Sequence, residues 1–265
     1  MNLSALSNAL TRFLEADQAA RRARKIAPLV KELEPALRKW FAKQGKLFLR
    51  ALGQFRYRFS ESIDSGDWLP QASAAQGEVR QEAVDALAAV LLEAMVLGAG
   101  NLMAGLGLPV DDQFGISFSV NNPAAVDWAR RHAAELVTKI DETTRSLLNT
   151  IITNAVASGW SYDRLAAAIA DLYEKFGEER SRRIAVYELG AAYEQGNLWQ
   201  ARQLAAEGLQ MEKGWLTVGD DRVRPQHRDN QAQGWIPIED TFSSGSLIPP
   251  SDPGCRCSTL YRRKP

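Results

Sequence analysis

The chain has 265 residues, enough to bury a sizeable core in one or two domains. Its 45% hydrophobic and 24% charged residues exclude a disordered or collagen-like polymer and fit a soluble globular protein. Net charge is zero, but residues 1–60 hold 13 Lys and Arg against 4 Asp and Glu, so that end stands at +9 and the remainder at −9. Such asymmetry suits a polyanionic or acidic partner, or equally a solvated helix face.

The opening "MNLSALSNAL" has neither the basic start nor the apolar run of a secretory signal. The two cysteines are therefore expected to stay reduced, and a bridge between residues one apart would close a small, strained ring.

From Leu10 to about Phe59 the pattern is helical, with Leu29, Leu33, Leu37, Trp40 and Phe41 recurring at spacings of three and four. Pro28 and Pro35 are expected to start, kink or divide helices there. The stretch "LFLRALGQFRYRF" interleaves Arg50, Arg56 and Arg58 with Phe48, Phe55, Tyr57 and Phe59. That texture suits nucleic acid, or aromatics facing a core. "SIDSGDWLPQASAAQGE" reads as a hinge loop. A helix follows from Glu78 to about Leu97, with Val79, Ala83, Leu87, Val90, Leu91 and Met95 on one face. The apolar run from Ala94 to Val110 is at the short limit for a membrane span, and its four glycines favour a buried helix end passing into a loop. Ile116, Phe118 and Val120 alternate with serine as in a short extended piece.

Asn122 and Pro123 form a cap and first position for a helix running to about Ala157, roughly 50 Å at 1.5 Å per residue. Ser161 caps the next, which Gly177 is expected to stop near Phe176. A third spans about Glu179 to Glu194, with Gly196 as an interruption before "NLWQARQLAAEG". After Met211 the chain turns rich in Gly, Pro, Asp and Ser, with β-like pieces at Trp215–Val218, Trp235–Ile238 and Ser258–Tyr261. The fold class is mostly α with a small C-terminal α+β module, long helices followed by a turn-rich, short-stranded domain. The expected divisions are a basic helical arm (1–65), a helix with glycine-rich linker (66–120), a helical part (121–210) and the turn-rich module (211–265).

That module gathers Trp215, Asp220, Arg222, Arg224, His227, Asp240, Phe242, Cys255, Arg256 and Cys257. Three chemistries compete for them. His227, Cys255 and Cys257 have the donor types for zinc, and in an extended segment residues i and i+2 face one side, so both sulfurs could reach one ion. His227 with Asp220 or Asp240 could serve as a base, with Cys255 as nucleophile. The third reading is structural, and it is preferred. A small module with little core is held by buried hydrogen bonds and charge pairs, with cysteine packed as a small hydrophobe.

Read in order, "WLTVGDDRVRPQH", "GWIPIEDTFSSG" and "PPSDPGCRC" closely resemble the phage Mu protein F-like minor head protein family. Upstream, "NPAAVDWARRHAAELVTKIDETTRSLLNTIITNAVASGWSYDRLAAAIADLYEKF" and "SRRIAVYELGAAYEQGNLWQARQ" look like the helical part of the same proteins, with Arg183, Ile184, Ala185 and Glu188 matching a recurrent helix. The resemblance covers about residues 120–258. It departs in "RDNQAQ", which precedes Gly234 where the family often has an earlier glycine, and at Gly254, where asparagine is frequent.

The resemblance implies a non-enzymatic minor component of a tailed-phage or prophage head, acting near the portal in head morphogenesis and in DNA packaging or delivery. It implies a location in the virion head, reached from the bacterial host cytoplasm during assembly. Portal or capsid proteins are the implied partners, with no membrane. The chain stops eight residues after Cys257, so no appended toxin domain is expected. The basic end fits non-specific duplex DNA binding through Arg21, Arg22, Arg24, Lys25, Arg56 and Arg58. No cofactor is required by this reading, with zinc at His227, Cys255 and Cys257 left open. A metal-dependent or toxin-related enzyme at that cluster, and a portal-docking adaptor without DNA contact, are the alternatives.

Overall fold

Three long helices open the chain: α1 (Leu3–Gln54), α2 (Gly77–Gly105) and α3 (Pro123–Ala157). This computed structural model describes residues 3–54, 76–108 and 122–265, with side chains from residue 20 onward except residue 178. Most of the expected hinge between residues 62 and 78 lies outside the described residues, as do the alternating piece around Ile116, Phe118 and Val120 and the arginine–aromatic run from Phe55 to Phe59.

Pro28 and Pro35 do not divide α1, contrary to expectation. Interior proline costs about 3 kcal/mol relative to alanine. Both prolines lie on the exposed side, while Ile26, Leu29, Leu33 and Leu37 are buried. At about 1.5–3 kcal/mol per buried side chain, that face outweighs the loss.

The caps of the following helices act as their sequence suggests. Asn122 Oδ1 accepts from the N–H groups of Ala124 (3.1 Å) and Ala125 (3.3 Å) at the start of α3. Ser161 Oγ accepts from the N–H of Arg164 at the start of α4 (Tyr162–Lys175). Gly177 does not stop the chain there. A π-helical turn, Phe176–Arg180, carries it into α5 (Ser181–Ala206), which also runs through Gly196. A short sheet follows, with β1 (Met211–Leu216), helix α6 (Pro225–Ala232), β2 (Trp235–Pro237) and β3 (Ser258–Arg263). β1 is central and antiparallel to both neighbours, pairing Lys213 with Ile236 on one side and Tyr261 on the other. The architecture is mostly α with a small three-stranded module near the C-terminus.

The chain parts into two compact units, each drawn from separate stretches. One contains residues 32–89 and 127–184. Its core includes Phe41, whose ring centroid is 5.3 Å from that of Phe176, and Phe48, which stacks on Tyr173 at 6.0 Å. Phe48 is thus an aromatic facing the core. Asp141 in this unit accepts from Gln44 (2.7 Å) and pairs with Arg80 (3.1 Å). Burial outweighs those partners and raises its pKa.

The other unit contains residues 1–31, 90–126 and 185–265. Here two glycines allow α2 and α5 to touch backbone to backbone. A Cβ on Gly98 would lie 1.9 Å from the Tyr193 carbonyl oxygen, and one on Gly196 would lie 1.9 Å from that of Met95. Three of the four glycines of the apolar run, Gly98, Gly100 and Gly105, therefore lie within a helix that extends to Gly105, eight residues past the expected end, and Gly107 takes the turn beyond it. By length and composition alone α2 could cross a membrane, and half of its most apolar window is buried. Leu102 and Met103 of α2 cluster with Leu198, Ala201 and Leu204 of α5 and with Met211 and Ile238 of the sheet module.

Candidate functional site

Helix α6 begins with Pro225 as its first residue after an extended Arg224, the arrangement that proline's fixed φ favours. Its inward positions are His227 and Asn230, three apart on one face. Asn230 holds the loop after Phe242. Its Nδ2 donates to Ser244 Oγ (2.9 Å), while its Oδ1 accepts from Ser243 Oγ and the Ser244 N–H, both at 3.0 Å. Gln231 Oε1 accepts from the N–H (2.7 Å) and hydroxyl (2.6 Å) of Thr217, fixing the exit from β1. These contacts position His227 from both sides.

Trp215, Ile236, Phe242 and Cys257 are buried together, with Cys255 packed against them. Trp215 sits edge-on to Phe242 (5.1 Å between centroids) and 5.5 Å from the His227 ring. The cysteines reach His227 through a tight turn in which the Cys255 N–H donates to the Asp252 carbonyl at 2.9 Å. Pro253 and Gly254 occupy its middle, and Gly254 has φ 78°, as a type II turn requires. Beyond the turn, Cys255 and Cys257 face His227 while Arg256 points away to Asp220, at 2.7 Å.

The two edges of the His227 ring differ. Nε2 is 3.1 Å from Asp252 Oδ2 and 2.9 Å from Ser251 Oγ, and Ser251 also donates to that carboxylate at 3.1 Å. With a carboxylate there, Nε2 carries the proton and Nδ1 a lone pair, a tautomer assigned from the hydrogen-bond network. Nδ1 lies 3.6 Å from Cys257 Sγ and 3.9 Å from Cys255 Sγ. The three donor atoms fall within 4.8 Å of one another. The thiols polarise each other: a hydrogen bond from Cys257 holds the Cys255 pKa down, and that same bond with burial pushes Cys257 up. Burial draws Asp252 upward, but bonds from Ser251 and His227 with the nearby Arg224 charge bring it below the ordinary carboxylate range.

Of the residues singled out in the sequence, Trp215, His227, Phe242, Cys255 and Cys257 form one cluster. Asp220 and Arg256 pair beside it, Arg224 donates to the Pro253 carbonyl (3.0 Å), and Arg222 contributes its backbone N–H to Asp220. The carboxylates considered as bases with His227 are elsewhere. Asp220 is engaged by Arg256, and exposed Asp240 donates its backbone N–H to Pro237. Asp252 is the carboxylate on His227. It stands in "SDPG", where aspartate before proline reads as a turn former.

Arg22 needs a correction as a candidate DNA contact. It is buried, and its NH1 donates to Glu194 Oε1 (3.3 Å) and to the Cys257 carbonyl (2.5 Å). Glu194 is fully buried, and its other oxygen accepts from the Thr259 N–H at 3.1 Å. Burial raises its pKa against the pull of Arg22. Arg21, Arg24 and Lys25 lie on exposed positions, with Lys25 donating to Asn101 at 2.8 Å, while Arg56 and Arg58 lie outside the described residues. Lys213 also escaped the sequence reading. It is buried on the central strand, donates to the Ile238 carbonyl (2.7 Å), and its pKa is drawn down by burial to about 8.

Long helices followed by a small sheet, with a largely buried His–Cys–Cys cluster tied by turns, define a helical protein carrying a compact C-terminal knot. Residues 147–260, somewhat under half of the chain, match the family described as Phage Mu protein F like protein. No curated protein and no solved structure matches the chain.

Proposed function

We propose that this chain is a minor structural protein of a tailed-phage or prophage head, acting near the portal during head assembly and in packaging or delivery of DNA. The match over residues 147–260 carries the reading, because it spans α4, α5 and the whole knot around His227. Its polar residues support a structural role: Asn230, Gln231, Arg224 and Asp220 are each engaged in closing loops.

The basic end supports contact with packaged DNA. Within the unit that includes residues 32–89, Lys39, Lys43, Lys46 and Arg50 follow one another at spacings of four, three and four, which is one face of α1. Lys43 pairs with Glu82, and the other three occupy exposed positions. Such a stripe binds phosphates without reading sequence, so affinity should fall steeply as salt rises.

The test is the protein content of purified heads, with and without the portal protein, alongside a duplex-DNA gel shift across salt concentrations. The expected result is the chain in complete heads, its loss without portal, and a DNA shift weakened in a Lys39→Ala/Lys46→Ala/Arg50→Ala variant. Absence from heads overturns the head assignment. Presence in heads and portal binding without any DNA shift leaves the portal-docking adaptor.

A further inference from the structure

The cluster at His227 has a feature that loop closure does not explain. Nδ1 offers a single lone pair, yet two sulfurs converge on it, at 3.6 and 3.9 Å. A thiol–imidazole hydrogen bond needs only one cysteine at the ring, and the second is then held by its bond to the first thiol. A nucleophile paired with a base also needs only one. A tetrahedral zinc ion accounts for both. Zn–S bonds of about 2.3 Å and a Zn–N bond of about 2.05 Å, at the tetrahedral angle, separate nitrogen from each sulfur by about 3.6 Å. The observed separations sit at or slightly above that figure.

Three surrounding features point the same way. Asp252 and Ser251 hold Nε2, the ring edge away from the sulfurs. A metal-binding histidine is oriented by a carboxylate on its far nitrogen in this manner, which fixes the tautomer and strengthens the donor. Trp215 Nε1 is buried without a hydrogen-bond partner, on an indole that packs with Cys257, and a metal thiolate there would accept its N–H. Finally, two thiolates, one neutral imidazole and a divalent ion sum to zero charge, so a largely buried site is left without a net ionic penalty.

We propose that His227 Nδ1, Cys255 Sγ and Cys257 Sγ bind one zinc ion that pins α6 to the segment entering β3. On binding, both sulfurs are thiolates, any thiol still protonated giving its proton to solvent, while His227 gives its lone pair and keeps the Nε2 proton. The fourth coordination position is taken by water or by a donor from a partner. The site rests on this chain's own geometry and stands apart from the head assignment, since a protein absent from heads could still hold the ion.

The test uses the full chain, purified with reductant, equilibrated with zinc chloride and freed of loose metal by gel filtration. The expected result is about one zinc per chain and a thiolate charge-transfer absorption when cadmium replaces zinc. A Cys255→Ser/Cys257→Ser variant should lose the ion. Asp252→Asn leaves all three ligands in place and should weaken zinc affinity by about 10–100-fold at unchanged stoichiometry, which decides the matter even where the double variant does not fold. Zinc-free folded wild-type chain, a folded double variant that keeps its zinc, unchanged affinity in Asp252→Asn, or a Cys255–Cys257 disulfide in the reduced preparation each overturns the site.

Discussion

Arg22 shows how one side chain can lose its surface role to a distant partner. In the sequence it sits among Arg21, Arg24 and Lys25 and looks like one more phosphate contact. In the fold its guanidinium meets Glu194, 172 residues away, and reaches the carbonyl of Cys257. Glu194 in turn holds the Thr259 N–H at the start of β3. Removing the arginine leaves a buried carboxylate without compensation. That loss costs about 3–5 kcal/mol, far more than the pair's net worth against an apolar replacement. Arg22→Met is therefore expected to destabilise the chain by about that amount in chemical denaturation. Adding Glu194→Gln, which removes the charge but keeps an oxygen for Thr259, should restore much of it. The signature is a double variant clearly more stable than the sum of the single losses. Additive losses would mean that the two groups do not act as a pair.

At the scale of elements, glycine decides where helices meet. Gly196 and Gly98 each place a neighbouring carbonyl where a Cβ would stand. Gly190, on the same helix, has its nearest foreign atom at 3.8 Å, the tip of Arg22. The same substitution should then give opposite results at two sites six residues apart on α5. Gly196→Ala forces α2 and α5 apart and is expected to cost about 1–3 kcal/mol or more from overpacking. Gly190→Ala makes only an ordinary van der Waals contact with Arg22 and gains up to about 1 kcal/mol of helix propensity. Thermal denaturation of the two variants checks the pair, and equal shifts would contradict the close crossing. The same contrast explains what the sequence could convey. Helix starts at Asn122 and Ser161 were legible because a cap is a local event, settled by the few residues around it. Gly196, Pro28 and Pro35 misled because their cost is local while their reason is tertiary. The convergence of His227 with Cys255 and Cys257 was foreshadowed by alternation around Arg256 and by the "SDPG" turn. Asp252 was not, because nothing in a turn's composition tells which neighbour its carboxylate will meet.

For the whole molecule, the residues that match the family do not contain everything that supports them. The unit holding the knot also draws on residues 1–31 and 90–126, both outside 147–260. A fragment limited to the matched residues would keep Glu194 but not Arg22. It would keep Leu198 and Leu204 but not Leu102 and Met103, and Gly196 but not Met95. It would also lose the last three residues of β3, which pair with the first three of β1. The unpaired carboxylate costs about 3–5 kcal/mol and each re-exposed leucine about 1.5–3 kcal/mol. Together these approach the whole stability of a typical domain, about 5–15 kcal/mol. Residues 147–260 alone are therefore expected to show helical circular dichroism without a cooperative unfolding transition. Producing residues 1–146 in the same cell should restore a soluble complex and the transition. A fragment that unfolds cooperatively at the full chain's midpoint would mean that the matched segment is self-sufficient. The loss with rescue would mean that the N-terminal helices first complete the core on which the knot is built.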